Sequence, residues 1–426
     1  MELKRSRFDY KWVILVICFL MEFLCLGFCS SNAGLYTKAV TEALEIKRSI
    51  YSLSTSIRYA VQVFAAMYFG YFVHRFGIKK MAVFGLATMT LSVLVRGVAT
   101  EFYHLYIGGA LWGLGTVFAG GTMASSIVRR WFHKDVGRYT GIVMSSNGIG
   151  GAIAAQIVTP IINNGEVFGY RKAYYLCAAI SLVITVLVVL FLREHPADGP
   201  AIQTTGGKKT PKGSTWVGIP YEVAKRKFYF YAAAGIVLLS GISIQSLSSI
   251  SLVYYADIGL SSGFIAALAT IGSLFLTVAK VLVGVTYDKK GLRFALLLCQ
   301  FSAAAGFVLK ALASNTTQGM VFVLIATVLC TFASTVETVM IPLLCNDLFG
   351  AVSYEKFLGI FMAMKALGLC LGAPLGDLYF DMFGTYRPCF WFFAIIMAAV
   401  GIGYIPVIRA VYKEKAAIIA AQNISQ

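Results

Sequence analysis

At 426 residues, with 58% hydrophobic and only 13% charged side chains, the chain is too apolar for a water-soluble domain, in which charged residues approach about a quarter of the total. It reads as a polytopic membrane protein. A net charge of +17 would suit a nucleic-acid binder, but such a protein gathers its basic residues on a soluble module; here they collect in short loops between apolar runs, so no nucleic-acid partner is expected.

The basic N-terminus MELKRSRFDYKW leads into an apolar run of about 20 residues without a small-residue cleavage site, which makes it a first spanning helix and not a removed signal peptide. Hydropathy then predicts twelve spans, each long enough for the bilayer. They are Trp12–Gly34, Tyr51–Val73, Met81–Ala99, Leu105–Val128, Tyr139–Ile162 and Ala173–Leu192 in the first half, and Phe228–Tyr255, Gly263–Tyr287, Phe294–Leu312, Met320–Leu344, Phe357–Tyr379 and Cys389–Ile408 in the second. Loops after even-numbered spans carry Arg75, Lys79 and Lys80, then Arg129, Arg130, Lys134 and Arg138, then Lys289, Lys290 and Arg293; those after odd-numbered spans are poorer in cations. By the positive-inside rule both termini lie in the cytoplasm of a cell membrane, here expected to be a bacterial inner membrane. The nine cysteines fall mostly within apolar runs without CxxC or His-paired spacing, as buried hydrophobes do.

Between the sixth and seventh spans, residues 194–227 are rich in Gly, Pro, Thr and Lys and lack an apolar period, so they form a flexible linker dividing a bundle over 1–193 from a second over 228–426. GGKKTPKG within it lacks P-loop spacing and follows no strand. The two halves echo each other. GYFVHRFGIKK from Gly70 matches GVTYDKKGLR from Gly284, and GYRKAY from Gly169 matches GTYRPCF from Gly384, at offsets of 214 (284 − 70) and 215 (384 − 169). Two six-helix repeats around a midplane site are the plan of a rocking transporter.

The loop motif G-x-x-x-D-R/K-x-G-x-R/K at Gly284, Asp288, Lys289, Gly291 and Arg293 resembles the signature of the major facilitator superfamily, over the whole chain. The first-half copy keeps Gly70, Arg75 and Gly77 but has His74 in place of the acid, which removes a carboxylate contact from that gate. GLYTKAVTEALEIKRS, LWGLGTVFAGGTMASSIVRRWF and a lysine in each of the eighth and eleventh spans are similar to the oxalate:formate antiporter and monocarboxylate transporter branch. The resemblance implies an all-α membrane protein of twelve helices in two pseudo-symmetric bundles, gating loops at the two motifs, and a small carboxylate as cargo. In the oxalate carrier the two cations are an Arg and a Lys; Lys280 in place of the Arg weakens the case for oxalate itself, because a lysine is a point charge without a bidentate fork.

Lys280 and Lys365 are the substrate-binding candidates. A lysine well inside a lipid-embedded helix costs about 2.5–3.5 kcal/mol and persists where it faces protein or water. The competing reading is snorkelling to the headgroups. Glu337 and Glu22 are intramembrane acids able to carry a coupling proton or to pair with a lysine, or to be structural ion pairs. Arg58 and Arg96 fall near the outer span ends, where an interfacial or entrance role is expected. Glycine-rich GLGTVFAGG (from Gly113) and NGIGGAIAA (from Asn147) allow close helix approach. Asn32, Asn147 and Gln156 are candidate hydrogen-bonders in the cavity; Tyr59, Phe332 and Phe361 are candidates for its wall, or for core.

The expected function is secondary active transport of a small organic mono- or dicarboxylate by alternating access, as antiporter or proton symporter. The partners would be the anion, the lipid bilayer and protons, with the protein a monomer and no cofactor. A carrier of larger amphipathic anions, a drug exporter and a transport-inactive sensor are the alternatives. A membrane enzyme is disfavoured, since no His cluster, nucleophile elbow or paired carboxylates at a helix end is visible.

Overall fold

A computed structural model describes residues 9–30, 33–132, 134–162, 168–194 and 218–424. Apolar runs become helices because a spanning segment must satisfy every backbone group within itself. The elements are α1 (Lys11–Glu22), continued by a π-helical stretch Phe23–Ser30; α2 (Ala33–Ala43); α3 (Arg48–Met67); α4 (Phe69–Phe76); α5 (Ile78–Gly97); α6 (Phe102–Ala119); α7 (Gly121–Trp131); α8 (Val136–Ile162); and α9 (Gly169–Phe191). In the second half they are α10 (Tyr221–Ala224), α11 (Phe228–Asp257), α12 (Ser262–Ala311), α13 (Thr317–Thr335), α14 (Ile341–Leu344), α15 (Tyr354–Phe383) and α16 (Arg387–Ile424), with π-helical stretches Val336–Met340 and Cys345–Phe349 flanking α14. Among the described residues nine helical runs are long and apolar enough to cross a membrane. One of them, Gly263–Ala311, is two spans meeting at Gly291, whose φ of 81° breaks the helix; α3 with α4, and α15, supply the other two, giving the twelve.

Two boundaries differ from the hydropathy reading. The first run stops at Ser30 and is followed by the separate α2, and the last helix continues to Ile424 instead of ending near Ile408. Linker residues 195–217 lie outside the described residues. The linker's end is fixed to the second half: Ile219 N donates to the Phe349 carbonyl at 2.9 Å and Tyr221 N to Ser353 Oγ at 3.2 Å. Tyr221, Phe230, Phe349, Phe357 and Phe361 form an aromatic cluster there, with Phe349 and Phe357 stacked at 4.1 Å. Phe361 therefore belongs to this core and not to a cavity wall.

The repeat is visible in backbone detail. Gly77 and Gly291, 214 residues apart (291 − 77), share a left-sided φ of 85° and 81°. At the other ends of the following helices, Arg171 Nη2 donates to the Ala99 carbonyl at 3.1 Å, and Arg387 Nη2 donates to the Ala313 carbonyl at 3.2 Å. Each cation caps the C-terminal end of the third span of its half, where carbonyls lack intrahelical donors.

The halves meet along two glycine seams. On one, Gly137 lies against Gly284, Gly141 against the Lys280 carbonyl and Gly148 against Thr277; on the other, Gly70 lies against the Glu355–Lys356 backbone and Gly359 against the Ala66 carbonyl. Small residues permit this approach. Four of these contacts fall between the side that carries the basic loops and the middle of the spans, and Gly148 with Thr277 lies just beyond the middle. Farther along α12, Gly263 and Gly272 meet nothing from the first half. The assembly is thus closed on its basic side.

A Cβ at Gly291 would meet nothing within 4 Å, so Gly291→Val tests backbone strain alone. We expect it to lower stability by about 1–3 kcal/mol, read as a fall in the thermal unfolding midpoint of the purified protein; an unchanged midpoint would show that the loop does not need its positive φ.

Candidate functional site

Glu22, Lys280 and Lys365 each stand eleven residues from the basic-side boundary of their span: Lys11, Gly291 and Tyr354. At about 1.5 Å per residue this is roughly 16 Å, half of a hydrocarbon core of about 30 Å. Glu337 is thirteen residues from Gly350, at a similar level. The four groups come from the first, eighth, tenth and eleventh spans and act on one another electrostatically. Lys280 feels Glu22, Glu337 and Lys365, and each acid feels both lysines.

Lys280 is 1% exposed, and its Nζ donates to the Met144 carbonyl of α8 at 3.0 Å. It reaches across the seam into the other half and does not snorkel. Lys365 is half-buried and makes no hydrogen bond or ion pair among the described residues. Glu22 is wholly buried, and neither carboxylate oxygen has a hydrogen-bond partner among the described residues; Glu337, 8% exposed, likewise leaves Oε1 without one. Two acids and two ammonium groups thus share one level of the protein, linked by charge with few direct bonds. Such a site has hydrogen-bonding capacity to offer a guest.

The backbone is irregular where these charges sit. Glu22 is the last residue before the π-helical stretch of the first span, and Glu337 lies inside the π-helical stretch Val336–Met340. The fourth span breaks at Gly120, between α6 and α7, and a Cβ at Gly121 would stand 3.4 Å from Glu22 Oε2. The π-helical stretch of the tenth span begins at Val336, 216 residues after Gly120 (336 − 120), so equivalent helices of the two halves deform at equivalent places. π-bulges and breaks of this kind frequently mark functional positions.

The gating motifs divide. Asp288 accepts from Gly137 N at 2.9 Å and Arg138 N at 2.7 Å, capping the start of α8 from the other half. His74, its counterpart, is exposed and makes no hydrogen bond among the described residues. On that seam Arg130 Nη2 instead pairs with Glu355 at 2.8 Å, and Arg129 Nε donates to Asn346 Oδ1 at 2.5 Å. As loop cations these arginines carry only a topology signal in the sequence; the structure uses them to join the halves. Gly70 and Gly284 are seam contacts, and Gly77 rests on Glu194, which also accepts from Lys79 N at 3.2 Å. Arg75, Lys289 and Arg293 are exposed and form no ion pair among the described residues.

One expectation is corrected. Arg58 and Arg96 are not interfacial: they are 8% and 3% exposed and flank Trp112, at 5.4 and 4.7 Å from its ring, while Arg58 Nη1 donates to Ser30 Oγ at 3.0 Å. The indole face and a serine hydroxyl hold each cation inside the first half. Gln156 is exposed, Tyr59 and Phe332 are half-buried, and Asn32 lies outside the described residues. Lys310, a buried cation of the ninth span, is absent from the residues expected to matter; its position in the last turn of an apolar helix reads as an interfacial anchor.

Comparison with known proteins places these features in a family. The family model described as Major Facilitator Superfamily matches residues 12–354. "Multidrug resistance protein 2" of Bacillus subtilis (strain 168) is 26% identical over 376 residues, covering 85% of this chain and 86% of that protein. "Oxalate:formate antiporter" of Oxalobacter formigenes is 22% identical over 379 residues, covering 88% and 86%. Among solved structures, the proton:xylose symporter XylE bound to 6-bromo-6-deoxy-D-glucose superposes with a TM-score of 0.72 at 12% identity, covering 92% of this chain and 94% of that one.

The basic-side lock can be tested through Cys345, which is buried beside Arg129. A hydrogen bond to a charged group contributes about 1.5–3 kcal/mol, so Arg130→Ala or Glu355→Gln should raise the N-ethylmaleimide labelling rate of Cys345 about tenfold or more, read by peptide mass spectrometry. An unchanged rate in both variants would mean that the pair does not hold the halves together.

Proposed function

We propose that this chain, which belongs to the Major Facilitator Superfamily, carries a small organic anion across the membrane together with a proton, with its basic side in the cytoplasm. The observation that supports the reading is the quartet of Lys280, Glu22 and Glu337, all buried, with half-buried Lys365, at the junction of the halves. The chain is a transporter of its family, so binding and release, not chemical conversion, are what the residues must accomplish.

The charge balance supports the coupling. With both acids ionised the quartet is neutral and the empty carrier can close. A carboxylate added to a neutral, poorly hydrated cluster brings an uncompensated charge, which is costly in a low-dielectric interior. Protonation of Glu22 or Glu337 removes that excess and frees a lysine for the incoming carboxylate. Anion and proton then bind together and leave together. Lys365, half-buried and without a direct partner among the described residues, is the first cation a substrate meets; Lys280, bonded across the seam to Met144, is the one whose capture is felt by the opposite half. A monocarboxylate fits this balance better than a dicarboxylate, since one proton matches one charge.

Pure exchange is the second reading. It draws on the name of the oxalate:formate relative and on two lysines left unscreened if the acids are protonated in the empty state. The variants separate the two. In proteoliposomes with a panel of labelled monocarboxylates, Lys280→Gln and Lys365→Gln should each lower counterflow by about tenfold to a hundredfold, the loss expected for one charge-assisted hydrogen bond. Glu337→Gln should keep counterflow and lose accumulation driven by an acid-outside pH gradient. Full uptake by either lysine variant would sink the site, and gradient-driven accumulation that survives in Glu22→Gln, in Glu337→Gln and in the variant carrying both would sink the proton coupling.

A further inference from the structure

The two halves solve one problem differently at equivalent positions. Arg96 and Lys310 correspond at the repeat offset of 214 (310 − 96), the same that relates Ala99 to Ala313 (313 − 99). Both cations are more than nine-tenths buried near the ends of their helices away from the basic side. In the first half the space beside Arg96 is filled by the Trp112 indole, whose ring lies 4.7 Å from the guanidinium. The fourth and tenth spans begin at N-caps Glu101 and Thr316, an offset of 215 (316 − 101), which puts Thr327 where the first half has Trp112.

The consequence is a cavity of about 290 Å³ between the seventh, eighth, ninth and tenth spans, lined by Lys310, Tyr255, Ser248, Ser273, Thr327 and Ser334 among others. Ser248 and Ser273, both lining it, are exposed. Inside, Lys310 Nζ donates to Ser251 Oγ at 2.8 Å and lies 6.0 Å from the Tyr255 ring. No acidic residue lines the cavity, and Lys310 forms no ion pair among the described residues. The Tyr255 hydroxyl is buried without a hydrogen-bond partner among the described residues. The Lys310 ammonium, with Ser251, Tyr255 and Cys330 around it, and the Tyr255 hydroxyl, beside Thr327, face one hydroxyl-lined space in which the cation has no acid opposite. A buried cation is normally balanced by an opposite charge, and none of the lining residues supplies one.

We propose that this cavity is a second anion site, in which a small monocarboxylate sits between Lys310 Nζ and the Tyr255 hydroxyl with its alkyl end toward Leu268 and Phe307. It lies on the far side of the quartet from the basic face, and Ser334 is three residues before Glu337 on the tenth span. An anion held here is one helical turn from the central charges.

The test measures binding of labelled acetate to the purified full-length protein in nanodiscs. Lys280→Gln with Lys365→Gln removes the central lysines, so what remains does not depend on the central site. This double variant should retain saturable acetate binding. Adding Thr327→Trp, which copies the first half's plug and keeps the cation, should abolish it, and adding Tyr255→Phe should weaken it about tenfold, as loss of one hydrogen bond to a charged group does. Lys310→Met should match Thr327→Trp. A double variant that is monodisperse by size exclusion yet binds no acetate, or a Thr327→Trp addition that leaves binding unchanged, would overturn the second site.

Discussion

The arrangement depends on enclosing three charges, with a fourth half-buried beside them, among apolar spans without letting any of them stand alone. Each costs several kcal/mol to desolvate if uncompensated, and the compensation here is mutual: two ammonium groups and two carboxylates from four spans, held near one another more by field than by hydrogen bonds. Direct pairing would be more stable and less useful, because a tight ion pair leaves nothing for a ligand to replace. The unused carboxylate capacity of Glu22 and Glu337 and the backbone bond of Lys280 mark a cluster that is balanced in charge but incomplete in bonding.

The same residues tie the cluster to the motion of the halves. Lys280 sits on the seam itself: its carbonyl presses on Gly141 and its ammonium bonds to Met144, both on α8 of the first half. Two turns farther toward the basic side, Asp288 caps the start of that same helix. On the proposed reading, a guest that draws the Lys280 ammonium away from Met144 would act on the same helix whose start Asp288 caps. The other seam has no such acid, because His74 replaces it, and Arg130 with Glu355 closes it instead. Two seams with different chemistry give two locks that a substrate can bias unequally.

Much of this is legible in the sequence because the bilayer forces a simple code: runs of fixed length, loop charge by side, and glycines where backbones must touch or turn. The offset between Gly70 and Gly284 is carried by the sequence and reappears as matched φ at Gly77 and Gly291. What hydropathy does not encode is the direction a side chain takes off its helix. Arg58, Arg96 and Lys310 lie near span ends and look like headgroup anchors, yet each turns inward to a serine, and the two arginines also to an indole. Arg129 and Arg130 read as loop charge because nothing local announces that Asn346 and Glu355 will stand opposite. The π-helical stretches are equally silent: an extra residue in a turn shifts the register of the rest of the helix without changing composition.

Pseudo-symmetry also locates the asymmetry that a directional carrier needs. Ala66 and Lys280 are equivalents (280 − 66 = 214), and both press a carbonyl on a glycine of the opposite half, Gly359 and Gly141. Those two glycines set the offset for the fifth and eleventh spans at 218 (359 − 141), which pairs Asn147 with Lys365 (365 − 147), while Thr122 stands for Glu337 (337 − 122 = 215). Three charged positions of the second half are thus neutral in the first, which contributes Glu22 alone. A frame duplicated in backbone and differentiated in side chains places the charge on one bundle and leaves the other as a wall that moves against it. With three of the four charges on one bundle and a single acid opposite, the proposed carrier distinguishes one position of the wall from another by the occupancy of its site.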